Sequence, residues 1–155
     1  MIQKQTLKTF KQVPKVITDF FSGIPEDRLD VKRNAETWTA REHLYHIVDV
    51  QRMLLGRIEK IRDEQNPVIE PFFPENEEIS TYESIADALN VFKSIRKQQC
   101  SVIKSLKKSD FKKHAVHKEY SDYSIPIIIN HMIFHEYWHM YRVEEILFTR
   151  DEYFH

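Results

Sequence analysis

HMIFHEYWHMYR, residues 131–142, is the stretch around which the rest of the chain is read. At 100° per helical residue, His135 and His139 sit four apart on one face, with His131 one turn earlier and Arg142 almost in line. Three imidazoles and a guanidinium therefore share one stripe. Neutral imidazole is the commonest protein ligand for Zn²⁺, Ni²⁺ and similar ions, and an i, i+4 pair can bring two ring nitrogens to one metal. The helix that carries them is expected to start at a Ser124 cap, with Pro126 in the first turn where proline is tolerated, and to run to about Phe148.

Working back from that helix, three more are expected. Ile2, Leu7, Phe10, Val13, Ile17, Phe20 and Phe21 form a helical stripe that Pro14 either kinks or restarts, with a stop at Gly23 and Pro25. Thr39-Ala-Arg-Glu42 has the pattern of a capping box and opens a second helix whose apolar residues run from Leu44 to Ile61, ended by Asn66-Pro67. Ser80-Thr-Tyr-Glu83 has the same pattern and predicts a third helix to about Lys107. Residues 66–78, NPVIEPFFPENEE, cannot be helical. They read either as a lid over a cleft or as a solvated crossover pinned by Phe72 and Phe73. Lys108–Tyr123 is polar and reads as irregular. Four helices of roughly 20 to 27 residues suit a four-helix bundle.

Composition sets the outer limits. The chain has 155 residues, 41% hydrophobic and 30% charged, so one domain over 1–155 with an ordinary soluble core is expected. Two glycines and six prolines are too few turn formers for a many-stranded sandwich or barrel. The net charge of −1, without a basic block, argues against nucleic-acid binding. No run of about 18 uncharged apolar residues or signal-peptide segment is visible, which predicts a cytoplasmic protein without a membrane partner. The single cysteine, Cys100, leaves any metal to His and carboxylate ligands.

His135-Glu-Tyr-Trp-His139 matches H-E-x-x-H, so a zinc-protease reading has to be weighed. Only 16 residues follow His139, without a Gly-x-x-His and without a substrate-binding sheet in prospect, and that reading is set aside. A di-iron bundle needs Glu-x-x-His twice. Glu136-x-x-His139 occurs once, so that reading is set aside too. What remains is a mononuclear site of His135 and His139 with a third ligand from a facing helix, for which His46 on the apolar stripe of the second helix is the best candidate. Three nitrogens with a fourth position open is the pattern of a catalytic metal. His131 reads as a hydrogen-bonded core residue, His43, His114, His117 and His155 as surface residues, and Trp38 as packing. Cys100 reads as a small core residue, reactive only if its pKa were lowered.

Trp38-x-x-x-Glu42-x-x-x-His46-x-x-Asp49, about ninety residues before His135-Glu-x-x-His139, resembles the DinB/YfiT-like family. That family is marked by a Trp-led helix with one His and a last helix with His-x-x-x-His. The resemblance implies an all-α four-helix bundle of up-down-down-up topology, frequent homodimers, and a Zn²⁺ or Ni²⁺ held by His46, His135 and His139. It also implies metal-dependent hydrolysis or transfer of a low-molecular-weight thiol (bacillithiol, mycothiol or glutathione). Where the family often places Arg-Gly-Gln after its last histidine, this chain has Met140-Tyr141-Arg142, so Arg142 stands in the place of a polar glutamine.

The expected function is therefore a metal-dependent enzyme, with water or a thiol activated for attack on a small-molecule electrophile. Asp49 would orient His46 or take up a proton, and Arg142 would anchor a carboxylate or phosphate. The alternative is a non-catalytic bundle whose metal is structural or adventitious and which binds a small ligand or a partner protein.

Overall fold

The computed structural model describes residues 2–73 and 78–154. Its four long helices are α1 (Lys4–Ser22), α2 (Ala40–Asp63), α3 (Ile85–Ser105) and α4 (Ile125–Phe148). In α1 the buried residues are Phe10, Val13, Ile17 and Phe21, one stripe at helical spacing. The helix runs through Pro14 and closes where the Gly23 amide donates to the Phe20 carbonyl. The Thr39–Glu42 capping box forms as expected: Thr39 Oγ1 accepts from the Glu42 amide at 3.1 Å, and Glu42 Oε2 accepts from the Thr39 amide at 2.7 Å.

The third helix departs from expectation at its start. Ser84, not Ser80, is its cap, accepting from the Asp87 amide at 3.1 Å. The Ser80 amide instead donates to Asp49 at 2.8 Å and the Tyr82 hydroxyl to the same carboxylate at 3.2 Å. Two adjacent Ser-x-x-acid patterns compete here, and the bond to α2 takes the first.

Residues 108–123 are also more ordered than their polarity predicts. They hold a 3₁₀ turn (Asp110–Lys112) and most of a small sheet. Strand β1 (Val68–Ile69) pairs in parallel with β2 (His114–His117), and β2 pairs antiparallel with β3 (Tyr123–Ser124), which leads straight into α4. In β2 the side chains alternate exposed and buried, a period-2 pattern too short to stand out before its partners are known.

This sheet records the topology. The segments that follow α2 and α3 meet in parallel, so those two helices end at the same end of the bundle. α2 packs on α3 and α4, and α1 packs on the same two from the opposite corner. The order is up-down-down-up, with the 64–84 crossover returning the chain to the start of a parallel neighbour.

One buried polar cluster ties the four helices together. Arg96 on α3 donates to the Phe10 carbonyl on α1 at 2.6 Å, to Gln51 Oε1 on α2 at 3.2 Å, and to Glu136 Oε1 on α4. Its guanidinium lies 3.8 Å from the centre of the Phe10 ring. No helix among the described residues is long and apolar enough to cross a membrane.

Candidate metal centre

The capping box starts α2 at Ala40 and so places His46 two turns in, on the side of α2 that packs against α4. Because α4 runs the opposite way, His135 and His139 meet it from across the interface. His135 Nε2 lies 3.2 Å from His46 Nε2 and 3.0 Å from His139 Nε2. Each imidazole nitrogen has one in-plane site, either a lone pair or a proton, so three nitrogens that converge cannot all be satisfied by hydrogen bonds to one another. A cation satisfies all three. Metal–nitrogen bonds of roughly 2.0–2.1 Å at a tetrahedral angle would hold two such nitrogens roughly 3.3 Å apart, close to the observed spacing. The three side chains are a donor set that could hold one ion, their ligand atoms lying within 4.8 Å of one another.

Their protonation suits that role. Burial lowers the pKa of His46 to about 4, against the pull of the Asp49 charge. Burial, then the charge of His46, lowers His135 to about 3. His139, only 3% exposed, is held well below its ordinary value by burial and then by His135. At neutral pH all three are uncharged imidazoles with a lone pair available.

His43, expected at the surface, is 5% exposed and belongs to this group. Its Nδ1 lies 2.7 Å from His139 Nδ1, and burial followed by the charges of Arg142 and His46 lowers its pKa to about 4. The sequence did carry a signal. His43 precedes His46 by three residues, close to one helical turn, so a ring beside a candidate ligand's ring could have been anticipated.

A cavity of about 470 Å³ opens onto the histidines, walled by Trp38, Trp138, Thr37, Arg142 and Ile146. Trp38 lies nearly parallel to the His139 ring, 9° between planes at 6.1 Å, and meets His46 edge-on at 4.9 Å. Its packing role therefore falls on the rings of the site itself. Arg142 borders the cavity with its guanidinium paired to Glu145. Asp49 borders a second cavity of about 320 Å³ that shares His46 and also meets Arg52 and Phe72. Both Asp49 oxygens accept from Ser80 and Tyr82, and among the described residues no hydrogen bond joins Asp49 to His46.

The remaining candidates lie elsewhere. Glu136, the acid of the H-E-x-x-H letters, is wholly buried against Arg96 and does not line the cavity, so it is not placed to act as a base there. His131 is partly buried, its Nδ1 3.3 Å from the Tyr120 hydroxyl. His117, also expected at the surface, is buried at the sheet and accepts from the Glu119 amide at 3.1 Å. His114 is exposed, 2.6 Å from Asp122, and His155 lies outside the described residues. Burial raises the pKa of the Cys100 thiol, the reverse of what a reactive thiolate needs. The suggested lid falls partly on residues 74–77, outside the described residues. Phe72 packs against the core, while Phe73 is exposed.

A four-helix bundle of this topology with three inward histidines on two facing helices defines a class of small helical proteins with a candidate metal centre. The family model of the DinB superfamily matches residues 9–142, and the chain belongs to that superfamily. A protein from Oceanobacillus iheyensis, provisionally named a metal-dependent hydrolase, is 22% identical over 154 residues, covering 97% of this chain and 89% of its own. A second, from Bacillus cereus and provisionally named in the same way, is 23% identical over 131 residues, covering 83% and 76%. Among solved structures, YfiT from Bacillus subtilis, described as a probable metal-dependent hydrolase with an unusual four-helix bundle topology, superposes with a TM-score of 0.81 at 16% identity. The match covers 94% of this chain and 88% of that one.

Proposed function

We propose that the chain is a metal-dependent hydrolase in which His46, His135 and His139 hold one divalent ion, Zn²⁺ or Ni²⁺ by the nature of the donors, and cleave a small-molecule electrophile. The observation that carries this reading is the convergence of three neutral imidazole nitrogens at separations of 3.2 and 3.0 Å beside an open cavity. An ion held there would supply Lewis acidity and would bring the pKa of water at the site towards neutrality. Three protein ligands leave a position for water or for a substrate thiol; the names borne by the relatives favour water.

The chain's own residues do the rest. Trp38 and Trp138 wall the cavity with flat apolar surface, which suits a substrate of small-molecule size and excludes bulk water from one side. Arg142, paired through one guanidinium nitrogen with Glu145, offers an anchor for an anionic group of the substrate. Asp49, with both oxygens engaged, holds the wall of the second cavity and biases His46 through its charge.

The test is elemental analysis of protein purified without a histidine tag, beside His46→Ala and His135→Ala, followed by a panel of small esters and amides. About one Zn or Ni per chain, lost in both variants together with hydrolysis, is the expected result. A wild type that takes up neither ion, or metal retained by both variants, would reduce the histidines to packing.

A further inference from the structure

The contact between His43 and His139 plays no part in the reading above, yet its geometry is specific. Their Nδ1 atoms are 2.7 Å apart and both rings are buried. Two lone pairs at that separation would repel, so one proton lies between them. Each neutral ring carries one N–H, and two arrangements follow. With the proton on His43 Nδ1, His139 must carry its own on Nε2, facing His135, and that nitrogen has no lone pair for a metal. With the proton on His139 Nδ1, its Nε2 lone pair is free and His43 carries its proton on Nε2.

We propose that His43 is the positioning residue of His139: its Nδ1 accepts the His139 Nδ1–H, fixing that ring so that Nε2 presents its lone pair to the point shared with His46 and His135. The inference rests on the metal-centre reading. α2 then supplies two functions one turn apart, a ligand at His46 and the acceptor that orients a ligand from α4. Trp38 and Trp138 hold the His43 ring, with centroids at 5.4 and 6.5 Å, so the acceptor is itself fixed. His135 makes the contrast: its Nδ1 is buried and meets no partner among the described residues. His43 is itself among the residues that line the cavity of about 470 Å³.

The test measures Zn²⁺ affinity by competition with a chromophoric chelator at one neutral pH, for wild type, His43→Leu, His43→Asn and His46→Ala. The Asn side-chain oxygen falls near the place of the His Nδ1 and can accept the same proton. His43→Leu is expected to bind Zn²⁺ about 10–100-fold more weakly and His43→Asn to recover most of that loss, with similar melting temperatures for the two metal-free variants. In parallel, ¹⁵N correlation spectra of the imidazoles in Zn²⁺-loaded wild type should show His43 protonated on Nε2 and His139 on Nδ1. That second measurement stands even if His43→Leu fails to fold. Zn²⁺ binding by His43→Leu within about twofold of wild type, or His43 protonated on Nδ1 in the loaded protein, would overturn the inference and leave the metal centre intact. A wild type no better than His46→Ala would instead remove the centre, and the inference with it.

Discussion

Arg96 donates to the backbone carbonyl of Phe10, the acceptor that Pro14, lacking an N–H, cannot serve within α1. A proline in a helix interior usually kinks or ends it, because the carbonyl four residues back loses its donor. Here a guanidinium from α3 replaces that donor, and the helix continues to Ser22. The same side chain pairs with Glu136, one residue from His135, so α1's continuity and α4's rotation are set at one point.

Removing the guanidinium should therefore cost more than an ordinary core change. Arg96→Met is expected to destabilise by about 3–5 kcal/mol, because it leaves the Glu136 carboxylate buried and unpaired and the Phe10 carbonyl bare. Adding Glu136→Gln should recover part of the loss. Adding Pro14→Ala should help more in the Arg96→Met background than in wild type, since alanine restores the helical donor. Thermal or urea unfolding of the five proteins checks the coupling.

Glu136→Gln alone separates structure from chemistry. A general base of the H-E-x-x-H kind could not be replaced without loss of turnover, whereas a residue facing Arg96 can. The expected outcome is unchanged metal content and unchanged turnover in the hydrolysis assay, with a lowered melting temperature.

Chelation should act on stability through the same three histidines. Treating metal-loaded protein with EDTA is expected to lower its melting temperature, since free metal at 1,000 times its dissociation constant stabilises the folded state by about 4 kcal/mol. His139→Ala should show no chelator effect. An equal shift in that variant would place the ion elsewhere.

Asp110 offers a pH-dependent test away from the centre. It accepts from the Lys107 amide at 2.8 Å and meets Lys113 at 3.3 Å, and these hold its pKa below the usual carboxylate value. Its contribution is therefore present above the unfolded pKa of about 3.9 and is lost as pH falls through the lower folded value. Asp110→Asn should cost about 1 kcal/mol at pH 7. The gap between variant and wild type should close as pH falls below about 4 in urea titrations.

The α2 cap is a local feature with a remote consequence. Thr39→Ala is expected to destabilise by about 1 kcal/mol and, by fraying the turn before His43 and His46, to weaken metal uptake. Helical content at 222 nm and metal affinity measure the two effects.

Short-range chemistry is legible in the letters alone. Caps, apolar periodicity and the i, i+4 spacing of His135 and His139 depend on neighbours within a turn or two, so the four helices, their lengths and the histidine stripe could be read from the letters. Even there, two Ser-x-x-acid patterns four residues apart could not be ranked, because the choice of Ser84 over Ser80 depends on Asp49 from another helix.

Features that depend on distant partners were set by how the helices pack. The β2 strand exists because Val68 and Ile69 come to pair with it. Pro14 is tolerated because Arg96, 82 positions on in the chain, reaches the Phe10 carbonyl that Pro14 leaves without a donor. His43 looked like a surface residue because polarity alone predicts exposure; it is buried because α4 brings His139 within 2.7 Å and gives its nitrogen a partner. A buried polar group is stable only where another group satisfies it, and that second group is chosen by the packing of helices rather than by spacing along one of them.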